Sequence, residues 1–234
     1  MLDYKPAGRG PFAVKLADIQ PNDKILNVGC FNGHLERHLL EGRCAAYFGV
    51  DMNKEAIQFA KSQAKRADAF QIAPAESLPF DDKTFDKVLC LDTLEHVNDE
   101  EKALAEIHRV LKPGGTLVLS VPHDFMNFLD PDDLTRDMRN LVRKYVRKKE
   151  LLDHPKHRHY DESQLRELLK DFDVVRVHKC GTPVFWSLAM FYTAFGLPEK
   201  MTKPLRKITD PIENLEYSLG LPSGFNIMMK ALRI

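Results

Sequence analysis

The run Lys24-Ile25-Leu26-Asn27-Val28 meets Gly29 and Gly33 just before three leucines at helical spacing, Leu35, Leu39 and Leu40. No other feature narrows the possible folds as far. A short apolar run that breaks at closely spaced glycines and resumes with a helical period is a strand entering a helix through a tight turn. Such a turn lets a ligand approach the backbone and leaves free helix N-terminal amides pointing at it. Asp51 stands eighteen residues beyond Gly33, at the carboxyl end of the next apolar run, Tyr47-Phe48-Gly49-Val50. A carboxylate at that place can accept both hydroxyls of a ribose. One β-α-β unit therefore predicts a nucleotide-cofactor site. It lacks the G-x-G-x-x-G of a dinucleotide fingerprint, because Phe31 stands between its two glycines.

The order of the segments beyond Asp51 is more specific than the glycines. Ala73-Pro74-Ala75-Glu76-Ser77-Leu78-Pro79-Phe80 comes next, then Phe85-Asp86-Lys87-Val88-Leu89, Leu91-Asp92-Thr93-Leu94-Glu95-His96-Val97, and Leu111-Lys112-Pro113-Gly114-Gly115-Thr116-Leu117-Val118-Leu119. This ordered set resembles the class I S-adenosylmethionine-dependent methyltransferases, in particular the small-molecule group that includes the ubiquinone and menaquinone enzymes. The resemblance covers residues 22–122. It implies S-adenosylmethionine as cofactor and in-line methyl transfer to a small-molecule or lipid-like acceptor as the reaction. The turn of Gly29, Cys30, Phe31 and Gly33 would pass under the methionine moiety, Asp51 would hold the ribose and Met52 would cover the adenine. Ala75 and Glu76 would edge the adenine, and Leu91 would offer backbone to the methionine end. Two positions depart from the family's pattern. Asn27 stands where an acidic residue is usual, near the methionine ammonium, and Pro74 where an Asp is common, near the adenine amine. If the missing carboxylate weakens the cofactor, Asn27→Asp is expected to tighten it.

Strands are expected near 24–28, 46–50, 68–72, 85–90 and 116–121, with helices near 33–41, 53–66 and 99–111 between them. Strands alternating with helices require a parallel sheet. Pro113-Gly114-Gly115 is read as the turn that ends the third helix and opens the next strand. A helix at 161–170, a strand at 173–180 and a last strand near Asn226 to Arg233 complete the pattern. The expected architecture is α/β: a Rossmann-like, seven-stranded, mostly parallel sheet with helices on both faces, an antiparallel last strand and helical cap insertions. Residues 1–234 form one domain, 22–122 its cofactor-binding core, and 123–160 with 183–222 the insertions on the acceptor side.

Charge is neutral overall but uneven. Residues 134–160 hold 9 basic against 3 acidic groups. Within them, Met138, Leu141, Val142, Tyr145 and Val146 recur at helical spacing with Arg136, Arg139, Arg143, Lys144, Arg147 and Lys148 mostly on the other side, a basic amphipathic helix from Leu134 to Leu152. It is either a solvated face or a contact for an anionic acceptor or a membrane surface. An almost continuous apolar run, Pro183 to Leu197, fits a buried or dimer-interface helix, or one lying on a lipid-like ligand. A balanced charge gives no footing for a specific nucleic-acid partner. With no signal segment and no apolar run of eighteen residues, the expected location is cytoplasmic, with peripheral membrane contact as the variant.

Candidate bases for an acceptor that keeps its proton are His96, His123 and His159, the last in a cluster with His154, His157 and Tyr160. His157-x-His159 lacks a third ligand at matching spacing, so no metal is expected. The four cysteines, Cys30, Cys44, Cys90 and Cys180, show no metal or C-x-x-C spacing and read as reduced thiols. Two other functions share these residues: a non-catalytic binding or regulatory protein that kept the fold, and a nicotinamide-dependent oxidoreductase, which the missing third glycine argues against.

Overall fold

A computed structural model of the 234-residue chain describes residues 6–123, 158–181, 199–220 and 224–234. Seven strands form one sheet in the order β3-β2-β1-β4-β5-β7-β6. They are β1 (Lys24–Val28), β2 (Ala46–Asp51), β3 (Phe70–Ile72), β4 (Phe85–Leu91), β5 (Leu111–Pro122), β6 (Phe172–Cys180) and β7 (Asn226–Arg233). β1 to β5 pair in parallel, while β7 runs antiparallel to both β5 and β6. The expected seven-stranded, mostly parallel sheet with an antiparallel last strand is the one found, while most of the expected cap insertions lies outside the described residues. The helices are α1 (Arg9–Ala17), α2 (Lys54–Gln63), α3 (Glu100–Val110), α4 (Glu162–Leu168) and α5 (Glu199–Leu219).

Strand parity divides the core in two. Ile25, Leu89 and Val118 face one side of the sheet with Leu39, Leu40, Ile57 and Phe70, all buried. Their neighbours Leu26, Val88, Leu117 and Leu119 face the other side with Leu104, Ile107 and Leu165. Successive strand residues point to opposite faces, so a strand covered on both faces reads as a continuous apolar run. The helix starts are set by local chemistry. Asn53, Asp99 and Asp161 each accept a hydrogen bond from a first-turn amide of α2, α3 and α4, and Asp161 with Gln164 completes a reciprocal capping box.

Two expectations need correction. The helix expected over 33–41 is a short π-helical turn, Glu36–Leu40, closed by Glu41 N–H donating to the Glu36 carbonyl at 2.9 Å. Pro113-Gly114-Gly115 lies inside β5: between the pairs Phe85–Leu111 and Lys87–Thr116 one residue of β4 faces four of β5, so the motif forms an irregularity in the ladder. Helix α1 went unforeseen, and the long α5 falls in the 183–222 stretch read only as a helical insertion. They pack together, with Gly8 N–H donating to Asn214 Oδ1 at 2.8 Å. The basic helix Leu134 to Leu152, the apolar run Pro183 to Leu197, His154 and His157 lie outside the described residues.

Candidate functional site at the ends of the central strands

In an open α/β sheet the ligand crevice lies beyond the carboxyl ends of the strands. Here β1 ends in the glycine turn, β2 in Asp51 and β4 in Leu91. The turn is bonded shut. Gly29 and Cys30 N–H groups both donate to the Val50 carbonyl, at 2.8 and 3.0 Å, and Gly33 N–H donates to the Cys30 carbonyl at 3.0 Å. Asp51 Oδ2 accepts from Phe31 N–H and its Oδ1 from Asn53 N–H, each at 2.8 Å. The amides of Gly29, Cys30, Phe31 and Gly33 are therefore engaged within the protein. What faces the crevice is Asp51, whose two oxygens each use one acceptor position and keep another.

Gly29 is fixed by a close approach. It sits at φ 79°, and a Cβ there would lie 1.9 Å from Thr93 Oγ1. That hydroxyl donates to the Val28 carbonyl at 3.2 Å and the Leu91 carbonyl at 3.1 Å, tying the end of β4 to the turn. Gly33, at φ 68°, would put a Cβ 2.8 Å from the buried Phe70 ring. These contacts, Asp51's spare acceptors and the half-exposed Phe31 and exposed Met52 beside it make a cradle with a polar floor and apolar sides. A nucleoside with a charged tail fits that chemistry.

The structure brings Gly29, Cys30, Phe31, Gly33, Asp51 and Leu91 into one bonded unit. Ala75 and Glu76 lie on the loop after β3, with Glu76 Oε1 accepting from Asn98 N–H at 2.9 Å. The histidines separate. His96 is exposed on the turn after β4, and His159 lines an open groove between α3 and α4 with Asp99, Glu100 and Gln164. His123, at the end of β5, is buried with Nδ1 at 2.8 Å from the Gly224 carbonyl. A carbonyl only accepts, so Nδ1 carries a proton and donates to it. Cys30 is buried, and burial, then Glu36 and Asp51, push its thiol well above the ordinary value. It packs rather than reacts.

Three residues escaped the sequence reading. Arg9 of α1 makes an ion pair with Asp92, whose Oδ1 also accepts from Ser120 Oγ at 3.1 Å, so α1 reaches the ends of β4 and β5. Glu36 is fully buried and its Oε1 accepts from Asn27 Nδ2 at 2.8 Å. Asn27 thus already has a carboxylate partner, supplied by the π-helical turn. Asp92 and Glu36 could have been suspected as acids inside apolar motifs, but nothing in the sequence pairs them with Arg9 or Asn27.

Two buried glutamates set a pH dependence. Burial pushes Glu36 up to about 7, partly offset by Asn27, and burial pushes Glu95 up to about 7 against the nearby Arg9. Below pH 4.5, the ordinary glutamate value, both are protonated folded and unfolded, so neither carries a penalty. Above it the unfolded chain ionises first, so stability falls as pH rises towards 7 and the loss then levels off. Each contributes about 3 kcal/mol to that fall. Denaturant titrations of Glu95→Gln should show a gain over the parent that grows by about that amount across this window; a constant difference would refute the assignment. Among the described residues no helix is long and apolar enough to cross a membrane, and no cluster of three His, Cys, Asp or Glu side chains could hold a metal.

Residues 26–119 match the family described as "Methyltransferase domain". A ubiquinone biosynthesis O-methyltransferase of Alkalilimnicola ehrlichii is 31% identical over 48% of this chain and 57% of its own length. An O-methyltransferase of Penicillium expansum is 36% identical over 46% of this chain and 40% of its own length. The chain thus spans about half the length of these curated relatives. A solved S-adenosylmethionine-dependent methyltransferase of Methanosarcina mazei superposes with a TM-score of 0.60 at 22% identity, over 100% of this chain and 99% of its own. The [4+2]-cyclase SpnF superposes at 0.63, with 16% identity, over 96% of this chain and 79% of its own. Likeness at such identities is likeness of fold, and one fold hosts more than one reaction. Residues 26–119, set in this sheet and opening on this cradle, thus carry the sequence pattern of a methyltransferase domain.

Proposed function

We propose that the protein transfers a methyl group from S-adenosylmethionine to a small-molecule or lipid-like acceptor. The observation that carries this reading is the Asp51 carboxylate, which closes the glycine turn through Phe31 N–H and keeps acceptor positions for ribose hydroxyls. Met52 would cover the adenine, Ala75 and Glu76 would edge it, and the turn of Gly29, Cys30, Phe31 and Gly33 with the Leu91 backbone would carry the methionine end. Bound there, S-adenosylmethionine supplies an already activated methyl group on sulfur. The protein's work is to align the acceptor and exclude water. Among the three candidate bases His123 is favoured, because it stands at the end of β5 with its ring held through Nδ1 by the Gly224 carbonyl. Residues 123–160 and 183–222 would form the acceptor side, with their basic and aromatic stretches suited to an acceptor with an anionic head and an apolar body.

Calorimetric titration with S-adenosylmethionine and with NAD tests the cofactor, and methyl transfer to a panel of quinol, phenol and amine acceptors tests the reaction. We expect binding of the first ligand alone. Binding of NAD instead, or of neither, would remove the methyltransferase reading, and cofactor binding with no transfer to any acceptor would leave a binding protein on a retained fold.

A further inference from the structure

The pair formed by Asn27 and Glu36 is the one buried acid-amide contact under the cofactor turn among the described residues. Asn27 lies on the face of β1 that Ile25 shares, two residues before Gly29, so its side chain enters the layer of the π-helical turn. Glu36 shares that layer with Leu39 and Leu40, has no exposure, and its Oε2 meets no hydrogen-bond partner. Burying a carboxylate with one oxygen unsatisfied costs stability. A neutral side chain would avoid that cost, so the acid requires a functional reason. The charged and titratable groups facing Glu36 are Arg37 of its own turn, Asp51 at the end of β2, Cys30 of the glycine turn and Tyr47 of β2. Arg37 is directed away, its Nη1 donating to the Asn32 carbonyl at 2.7 Å.

An ionised carboxylate can only accept, so it fixes which end of the amide it meets. With Nδ2 held by Glu36, the acceptor end of Asn27 is the one left over, and among the described residues Oδ1 accepts no hydrogen bond. The strand order β3-β2-β1-β4 sets the direction of a bound nucleoside. With the ribose on Asp51 of β2, the amino-acid tail runs over the end of β1, where Asn27 is.

We propose that Glu36 is a positioning residue of the cofactor site: it holds the Asn27 amide with its NH2 turned inward, leaving the amide oxygen to accept from the ammonium of S-adenosylmethionine, with the carboxylate one layer behind balancing that charge. This rests on the cofactor reading above. The negative charge expected on β1 has moved to the neighbouring helical turn. Protonation of Glu36 removes the balancing charge and lets the carboxyl donate as well as accept, so the amide is no longer fixed by it and tail recognition weakens as the acid gains its proton.

Methylthioadenosine, which has the nucleoside but no amino-acid tail, is the discriminating probe. Glu36→Gln should weaken S-adenosylmethionine about tenfold by calorimetry while leaving methylthioadenosine unchanged, and should raise thermal stability because the buried charge is gone. A carboxylate kept for structure alone would lower stability and affect both ligands alike. Asn27→Asp sets two carboxylates face to face and should weaken S-adenosylmethionine, contrary to the gain expected when the position is read alone. The double variant Asn27→Asp/Glu36→Gln restores a donor-acceptor pair of reversed polarity and should recover binding to within about threefold of the parent. In the unsubstituted protein, the preference for S-adenosylmethionine over methylthioadenosine should fall about tenfold from about pH 7 to about pH 5.5, where the ligand ammonium stays protonated. Equal effects on the two ligands, a tighter Asn27→Asp, or a flat preference in that pH range would each overturn the proposal. If the parent binds methylthioadenosine and S-adenosylmethionine but Glu36→Gln does not separate them, only this inference fails; if it binds neither, the cofactor reading fails with it.

Discussion

Gly29→Ala is expected to cost roughly 3 to 5 kcal/mol of stability and to abolish measurable cofactor binding. Two independent penalties add. At φ 79° any Cβ is strained, by about 1 to 2 kcal/mol. The same Cβ would lie 1.9 Å from Thr93 Oγ1 and 2.7 Å from its Cγ2, so Thr93 or the turn must move. Either movement breaks the bonds from the Thr93 hydroxyl to the Val28 and Leu91 carbonyls and shifts the end of β1 away from β4. Against a total of about 5 to 15 kcal/mol for a domain, that is a large share. Thr93→Ala alone should cost about 1 kcal/mol for its hydrogen bonds. Combined with Gly29→Ala it should recover part of the loss, since only the backbone strain and a contact to the residual Cβ remain. Thermal melts of the four proteins measure this coupling; strict additivity of the two substitutions would mean the clash is not the cause.

Asp51→Ala is expected to weaken S-adenosylmethionine by about ten- to a hundredfold, the usual effect of losing charge-assisted hydrogen bonds of about 1.5 to 3 kcal/mol. The loss has two sources. The ribose hydroxyls lose their acceptors, and Phe31 N–H and Asn53 N–H lose theirs as well. Phe31 occupies a left-handed conformation, φ 48°, that a side chain resists, and the Asp51 bond holds it there. Asp51→Asn separates the sources. Its amide oxygen can still accept from Phe31 N–H, so the turn keeps its shape while the ribose loses the charge. Calorimetry should rank the parent tightest, then Asp51→Asn, then Asp51→Ala. Unchanged affinity in Asp51→Ala would withdraw the ribose assignment.

Much of the sheet was readable because its signals are local. β1, β2 and β4 announce themselves as apolar runs bounded by glycine or acid, and the α3 start by Asp99 before Glu100 and Glu101. The expected helices 53–66, 99–111 and 161–170 each include the residues that cap them, and the regular helices begin one residue later. The π-helical turn was hidden because Leu35, Leu39 and Leu40 suit an ordinary helix equally well. Pro113-Gly114-Gly115 carried a strong turn signal, yet pairing of Leu111 with Phe85 draws the motif into the ladder. α1 gave no distinct signal, since its N-cap is Gly8, which offers no side chain, and it is fixed by contacts with α5, some two hundred residues away in the chain.

The sequence by itself determined the β-α-β frame, the glycine turn and the acid at the end of β2, because backbone conformation and strand-end chemistry are written in neighbouring residues. Only the tertiary structure decided what those residues meet. The amides of the turn that looked open are spent on Val50, Cys30 and Asp51, Arg9 reaches Asp92 from a helix at the start of the chain, and Asn27 is answered by Glu36. The physical reason is that a buried polar group must find a partner wherever packing supplies one. That partner is set by strand parity, helix phase and sheet order, which no local pattern around Asn27 contains.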